Sequence, residues 1–428
     1  MHILYCIPRY DSAAMGNRIH TELLAAWRQH HNVTAEVLAL AAGQRTLTTN
    51  VEEGVVVHRL PVSANWPLKL ANRMGNLVLP YPYLAGAVWH FRRFVATRRY
   101  DLIHSETAFP LGLVAALVPP TQRPPLAVTL PGADIMAEPE FDYGYGRFRT
   151  VRWLLPWIFG QAAVLRADSP QLAELAVRLG ATARKVVAIP YNITVDSFPP
   201  PGDRHELRRN SRAQMVARHR LDPERPIIVS INRLHPFKGI AYLVDAMPIV
   251  RRAGLAPQLL IVGPSRTTPR FGDYGDYLAQ RAAKHGVSAD VHLVGGVPHH
   301  ETMHYMAAAD LAVVPSVAES FSRVVLEAAA VGTPPIVTRT TGVSDYIAAA
   351  DAGRVVDPRS GASLAEAIIE LLRDHAAWQA CSERAFALAP QFSSQRIAEQ
   401  LVELYTSVLR AGGGGAGEAQ PIRMNVSP

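Results

Sequence analysis

Two successive series of short apolar runs, each run alternating with an amphipathic stretch, limit what this chain can fold into. The first series predicts strands at 3–7, 33–38, 55–59, 102–104, 127–130, 163–167 and 186–189, with helices around 17–29, 70–97 and 171–179. The second predicts strands at 227–231, 259–262, 291–293, 311–315, 335–338 and 354–356, with helices near 239–251, 275–285, 322–330 and 364–372. Strands alternating with helices imply βαβ units and parallel sheets covered on both faces. Between the series stands Ser-Phe-Pro-Pro-Pro-Gly-Asp at 197–203, where three prolines and a glycine exclude regular structure. The expected fold is therefore α/β: two Rossmann-like parallel-sheet domains, residues 1–200 and 201–392, facing a central cleft. Ile397, Leu401, Leu404, Tyr405 and Val408 mark one apolar helical face within 393–410, and the glycine-rich 411–428 is expected to be a disordered tail.

Composition narrows the class. At 428 residues the chain exceeds what a single core supports, and 49% hydrophobic against 18% charged residues excludes disorder. The net charge of +7 suits an anionic small ligand or an acidic membrane surface and does not call for nucleic acid. Lysine occurs only at Lys69, Lys185, Lys238 and Lys284, so any lysine inside a motif stands out. Two distant cysteines, Cys6 and Cys381, make neither a disulfide scaffold nor a cysteine-rich zinc site, and point to a reducing compartment. The apolar stretches 77–91 and 153–165 are interrupted and too short to span a bilayer. Met1 runs straight into an apolar strand without a basic leader, so the expected location is the cytoplasm.

In open parallel sheets ligands sit at the carboxyl ends of strands, so residues just after strands carry the functional signal. After 227–231 comes Asn232-Arg233-Leu234-His235-Pro236-Phe237-Lys238-Gly239. Arg233 offers a planar fork for phosphate oxygens, Lys238 a compact charge, and the amides of a helix opening near Gly239 add positive potential. After 311–315 comes a stretch with Glu319 before a helix and Glu327 within it. Ser320, Phe321 and Ser322 occupy the turn whose free N–H groups can hold a diphosphate. Glu319 can accept bonds from sugar hydroxyls, while Glu327, in apolar company about two turns along, can reach a ribose diol.

Together these pieces resemble the retaining glycosyltransferases of family 4 (glycosyl transferases group 1), which have the GT-B fold. HILYCIPRY with Met15-Gly16-Asn17 resembles the family's first strand and glycine loop. DLIHSETAFPLG at 101–112, TLPGAD at 129–134, IPYNITVDSF at 189–198, NRLHPFKG, and Glu319 with Glu327 as E-x7-E follow in the family's order. APQFSSQRIAEQLVELY resembles the terminal helix that crosses back to the N-domain. The resemblance implies transfer of a hexosyl-type sugar from a nucleotide diphosphate sugar with retention, without a metal or other cofactor. Arg233 and Lys238 would stabilise the leaving diphosphate and Glu319 the donor sugar, these three being the catalytic candidates. Phe321 and Ser322 amides beside Ser320 would touch the phosphates, Glu327 the ribose, and Gly16 would admit the diphosphate. The acceptor would be a sugar, a lipid-linked or a small molecule. Five positions depart from the pattern: Pro131 and Glu106 stand where histidines are common, Asn232 replaces a glycine, and Tyr191-Asn192 replaces Asn-Gly. Asp134 and Glu106 are the acceptor-side candidates.

Alternatives remain at this level. His300-Glu301-Thr302-Met303-His304 fits the zinc-peptidase pattern H-E-x-x-H, with Glu327 as a conceivable third ligand. A nucleotide-sugar epimerase of the same fold shares the cleft. No G-x-G-x-x-G follows the first strand and no G-K-[ST] occurs, which excludes dinucleotide oxidoreductases and P-loop enzymes. Arg92, Arg93, Arg98 and Arg99 beside Trp89, Phe91 and Phe94 suggest a peripheral contact with the inner face of a membrane.

Overall fold

The computed structural model describes residues 1–12, 15–62, 66–193 and 204–413. Among the described residues the chain divides into two compact units: Met1–Asn192 together with Ser394–Gly413, and Ile193–Ser393. The proline-rich segment, the expected boundary at 200/201 and the tail beyond residue 413 lie outside the described residues.

The first unit is built on eight strands, β1 (His2–Ile7), β2 (Thr34–Ala41), β3 (Thr48–Glu52), β4 (Val55–Pro61), β5 (Leu102–Ser105), β6 (Leu126–Leu130), β7 (Val164–Ala167) and β8 (Val186–Ala188). Their order is β3-β4-β2-β1-β5-β6-β7-β8, parallel except for β3 against β4. The polar segment β3 was not expected as a strand; it is legible only as the hairpin partner that closes the sheet's edge. Helices α1 (Arg18–His30), α2 (Trp66–Val78), α3 (Leu84–Ala96), α4 (Leu113–Ala116), α5 (Arg149–Gln161) and α6 (Pro170–Arg178) connect the strands. The single helix expected over 70–97 is two, because Pro80 and Pro82 remove backbone donors between them. The Gly86 N–H, donating to Asn72 Oδ1 at 3.1 Å, then ties α3 to α2.

Right-handed crossovers from β1 to β2 and from β4 to β5 run in opposite directions, which puts α1 and the α3–α6 layer on opposite faces. Period-two alternation in β1 serves both. Leu4 and Cys6 join Phe91, Phe94, Leu155 and Ile158 on one side, while Ile3 and Tyr5 join Trp27 on the other. On that second side lies the terminal helix, numbered α15 below (Ser394–Gly413), which buries Ile397, Leu401, Leu404 and Tyr405. Trp27 Nε1 donates to the Ala398 carbonyl at 3.2 Å.

The second unit opens with α7 (Arg204–His219) and continues β9 (Ile227–Ile231), α8 (Ile240–Arg252), β10 (Gln258–Val262), the small hairpin β11 (Thr267–Thr268) and β12 (Gly272–Asp273), α9 (Tyr274–Lys284), β13 (Val291–Gly295), α10 (His299–Ala308) and β14 (Leu311–Val314). It closes with α11 (Arg323–Ala330), β15 (Pro335–Thr338), α12 (Ser344–Ala349), β16 (Arg354–Val356), α13 (Gly361–Arg373) and α14 (His375–Leu388). Its six-stranded sheet, order β13-β10-β9-β14-β15-β16, is wholly parallel. The strand order reverses between β9 and β14, so the carboxyl ends of these two strands form the switch-point crevice in which such sheets bind ligands.

Because α15 contributes a full apolar stripe to the first unit, Leu401→Ala should cost about 2–5 kcal/mol. Denaturant titration followed by fluorescence, with loss confined to the first unit's transition, checks this.

Candidate functional site

In the second unit, two strand-end loops are pressed together by glycine. Gly239 has φ +67°, and a Cβ there would stand 1.9 Å from the Pro315 carbonyl oxygen. Gly263 has φ +143°, and a Cβ there would stand 1.9 Å from the Asn232 carbonyl oxygen. No other residue allows either approach. The loop after β9 is thereby stitched to the loop after β10, with Leu234 N–H donating to Pro264 O at 2.9 Å and Arg266 N–H to Leu234 O at 3.2 Å. On its other side it meets the loop after β14, where Lys238 Nζ makes an ion pair with Glu319 Oε2. Ser316 Oγ donates to the same carboxylate oxygen at 3.3 Å. The Glu319 backbone is clamped from the loop after β15: its N–H donates to Thr340 O at 3.2 Å, and Gly342 N–H donates to its carbonyl at 3.0 Å.

Lys238 and Glu319 are therefore in direct contact, and Arg233 lies on the same loop, exposed. Burial and then the charges of Arg233, Lys238 and Arg266 hold the His235 imidazole below its ordinary pKa. Only Lys238 among the three has a carboxylate partner among the described residues. Arg266 and His235 were not anticipated as site residues; His235 stands inside the quoted motif, and nothing in the sequence brings Arg266 beside it.

Ser320, Phe321 and Ser322 lead into α11. Phe321 is buried against Phe392, with ring centroids 6.1 Å apart, and its carbonyl accepts from Val343 N–H at 3.1 Å. Ser322, the residue before α11, takes φ +83° and ψ 88°, a strained conformation for a residue with a Cβ. Glu327 is buried on α11, and Arg323 one turn earlier reaches it at 3.7 Å.

In the first unit, a cavity of about 610 Å³ opens at the carboxyl ends of β1 and β5, with Glu106, Asp134, His20, Tyr145 and Tyr191 in its wall. Glu106 accepts from Tyr5 Oη and from His104 Nε2 (2.8 Å) on one oxygen, and from Tyr191 Oη (3.0 Å) on the other. Burial would raise its pKa, but His20, His104 and Arg166 overcome that and hold it well below the usual carboxylate range. Arg166 donates to the Ile189 and Pro190 carbonyls at 2.9 and 2.6 Å and lies over the Tyr191 ring. Tyr405 of α15 bonds to His104 Nδ1. An arginine in the otherwise apolar strand Val-Leu-Arg-Ala was the available signal for this network.

Asp134 is different. Its Oδ2 accepts from Ala108 N–H at 2.6 Å, whereas buried Oδ1 has no hydrogen-bond partner among the described residues. Burial, only partly opposed by nearby backbone N–H groups, pushes its pKa up to about 7. Gly16 is placed in a short turn at 15–17 where a Cβ would meet nothing within 4 Å, so nothing in its own unit demands glycine there.

The H-E-x-x-H reading does not survive. Glu301 pairs with Arg218 of α7 at 2.5 Å and His304 Nδ1 bonds Ser211 Oγ of α7 at 3.0 Å. Among the described residues no three His, Cys, Asp or Glu side chains gather to hold a metal. The pattern arises on α10 where it packs against α7.

Comparison with known proteins bears on both units. A family profile described as "Glycosyl transferase 4-like domain" matches residues 16–192, and one described as "Glycosyl transferases group 1" matches residues 211–387. D-inositol 3-phosphate glycosyltransferase of Nocardia farcinica is 34% identical over 53% of this chain and 51% of its own length. The chain thus spans about half of that relative. A GDP-mannose-dependent alpha-(1-6)-phosphatidylinositol monomannoside mannosyltransferase of Mycobacterium tuberculosis is 30% identical over 66% of this chain and 69% of its own. Sucrose-phosphate synthase from Thermosynechococcus elongatus superposes with TM-score 0.73 at 22% identity, covering 96% of this chain and 99% of that one. Anabaena HepE, solved with UDP and glucose, gives 0.70 at 21%, covering 95% and 100%.

Two outcomes follow from this geometry. Asp134 is protonated more readily folded than unfolded, so it favours the folded state fully below about pH 4 and loses that contribution as pH rises through about 7. Asp134→Asn should flatten the decline across that window, by at most about 4 kcal/mol, in denaturant titrations at stepped pH. Ser322→Gly should raise stability by about 1 kcal/mol, strain relief exceeding the added chain entropy; an unchanged or lower melting temperature would contradict the strain.

Proposed function

The chain belongs to the glycosyl transferases group 1 family, and from that premise we propose that it transfers a hexosyl-type sugar from a nucleotide diphosphate sugar to an acceptor, with retention at the anomeric carbon. One observation carries the proposal: Arg233, Lys238 and Arg266 converge on His235 at the switch point of the second sheet, with one carboxylate, Glu319, paired to Lys238. Positive charge so poorly neutralised from within suits a ligand bearing two phosphates. A GDP-mannose-dependent relative and a neighbour solved with UDP support the same donor class.

The chemistry then follows from differential binding. As the bond between sugar and diphosphate breaks, negative charge gathers on the departing phosphate, and Arg233 and Lys238 bind that charge more strongly than they bind the intact donor. Amides at the start of α11, presented by the turn through Phe321 and Ser322, add donors in the same place. Glu319, oriented by Lys238 and Ser316, accepts hydroxyl bonds of the donor sugar beside the electron-poor anomeric carbon, which an adjacent carboxylate stabilises. Glu327 takes the ribose hydroxyls. With cationic side chains and a helix terminus supplying the positive field, no metal or other cofactor is invoked. The acceptor, a sugar or a lipid-linked or small molecule, enters the first unit's cavity, where Asp134 presents an unpartnered oxygen to its hydroxyl.

Nucleoside diphosphates at about a hundred times Kd should raise the melting temperature by about 5–10 °C. Arg233→Ala should lose most of that shift while leaving the unliganded melt unchanged, since the side chain is exposed and without an ion pair among the described residues. No response to any nucleoside diphosphate would overturn the donor reading. Transfer of labelled sugar to an acceptor separates a transferase from an epimerase, and the anomeric configuration of the product by NMR decides retention.

A further inference from the structure

The outward side of the α3–α6 layer carries large apolar side chains that the fold does not use. On α5, Trp153 is 81% exposed and Trp157, one turn on, 41%. Trp89 of α3 and Leu117 at the end of α4 are also exposed. Helix α2, tied to α3 through Asn72 and Gly86, leaves Leu70, Met74, Leu77 and Val78 in solvent, Leu77 at 83%. The spacing i, i+4, i+7, i+8 is one helical stripe. These helices share one face of the first sheet, since α3, α4 and α5 contribute their opposite sides to a common core. A soluble chain rarely leaves tryptophan and leucine exposed together on one layer without an occupant.

The charges around this layer name the occupant. From residue 54 to 100 the sequence holds seven Lys and Arg and no Asp or Glu, and from 143 to 167 four Arg and no acid. Those eleven cations exceed the net charge of the whole chain, +7, so the remainder is net negative. Apart from Arg59 on β4, which pairs with Glu52, and buried Arg166 on β7, these cations lie on or beside α2, α3 and α5, the helices that expose the apolar side chains. Lys69, Arg73, Arg92, Arg93, Arg149 and Arg152 are exposed, and the Arg93 guanidinium lies 4.8 Å over the Trp89 ring. Among the described residues no helix is long and apolar enough to cross a membrane, so any contact lies along the surface.

We propose that the outer surface formed by α2, α3 and α5 docks on an anionic lipid bilayer, with Trp153, Trp157 and the α2 stripe entering the headgroup region and the flanking arginines on lipid phosphates. Tryptophan favours that zone because its ring is apolar and its N–H polar. Neither apolar area nor charge suffices alone; binding of this kind needs both. The inference is independent of the donor chemistry assigned above, because none of its residues belongs to the phosphate loops.

The test is flotation of the full chain with vesicles of phosphatidylcholine alone and of phosphatidylcholine with phosphatidylglycerol at three to one, in low salt. The chain is expected to float with the anionic vesicles and far less with the neutral ones. Each exposed arginine changed to glutamine should weaken partition by about fivefold, and 0.5 M salt should weaken it strongly. The double variant Trp153→Ala, Trp157→Ala and the single variant Leu77→Glu should each lower partition by tenfold or more. Brominated lipids should quench tryptophan fluorescence in the wild type and not in the double variant. A retained melting response to nucleoside diphosphate shows that the variants are folded, and its absence in the wild type would count against the donor reading only. Equal flotation with both vesicle types, no flotation, or variants that float like the wild type would overturn the proposal. So would a dimer in light scattering that the double variant converts to monomer without any vesicle binding, since the face would then join two copies of the chain.

Discussion

The approach of Gly239 to the Pro315 carbonyl is the constraint on which the second unit's site depends. Strands β9 and β14 are neighbours in the sheet, so their following loops start about one strand spacing apart, near 5 Å. A side chain at position 239 would hold those loops away from each other. Because glycine stands there, Lys238 comes into reach of Glu319, and an otherwise ordinary turn becomes a cation beside a carboxylate at a switch point. Gly263 does the same on the opposite side and brings Arg266 into the field. The chemistry of this unit is a consequence of two absent Cβ atoms.

The first unit solves the opposite problem. Glu106 is buried to 3% exposure, and a lone carboxylate there would be strongly disfavoured. His20, then His104 and Arg166, hold its pKa down against burial, and it accepts hydrogen bonds from Tyr5 on β1, His104 on β5 and Tyr191 after β8. Glu106 and Tyr191 are both positions at which the chain departs from the family's pattern. They are also bonded to each other, the tyrosine hydroxyl satisfying the glutamate's second oxygen. Asn192, the neighbouring departure, donates to Glu22 Oε2 at 3.2 Å and to Ser394 Oγ at 3.0 Å, which fixes the start of α15.

How much of this was legible follows from the range of each interaction. Apolar runs announced the strands of both sheets because burial on two faces demands continuous hydrophobicity. The edge strand β3 escaped because Thr48–Glu52 is polar and meets only β4. Helix α7 escaped as well: its mean composition is polar, and only Ser211 and Met215 are buried. Arg233, Lys238 and Glu319 could be found because they sit at fixed offsets from strands. Arg266 and the Tyr405–His104 bond could not, since each acts across a separation that only the folded sheet closes, and Arg166 left only the hint of an arginine in an apolar strand. His300 to His304 shows the converse, a local pattern whose chemistry the tertiary partners Arg218 and Ser211 have already taken.

Asp134 and Glu106 show why a residue's type does not fix its role. Both are fully buried carboxylates in the wall of one cavity, yet their environments drive them apart: Glu106 faces cationic and hydroxyl donors and stays charged, whereas Asp134 faces a turn and has one oxygen without a partner. A charged group already saturated with bonds has little to offer a ligand, and changing it would disturb β1, β5 and α15 together. A carboxyl near neutrality with a free oxygen can accept or donate a hydrogen bond as a hydroxyl approaches. Of the two, Asp134 is the one with hydrogen-bonding capacity left over among the described residues, and Glu106 is the one that holds the wall in place.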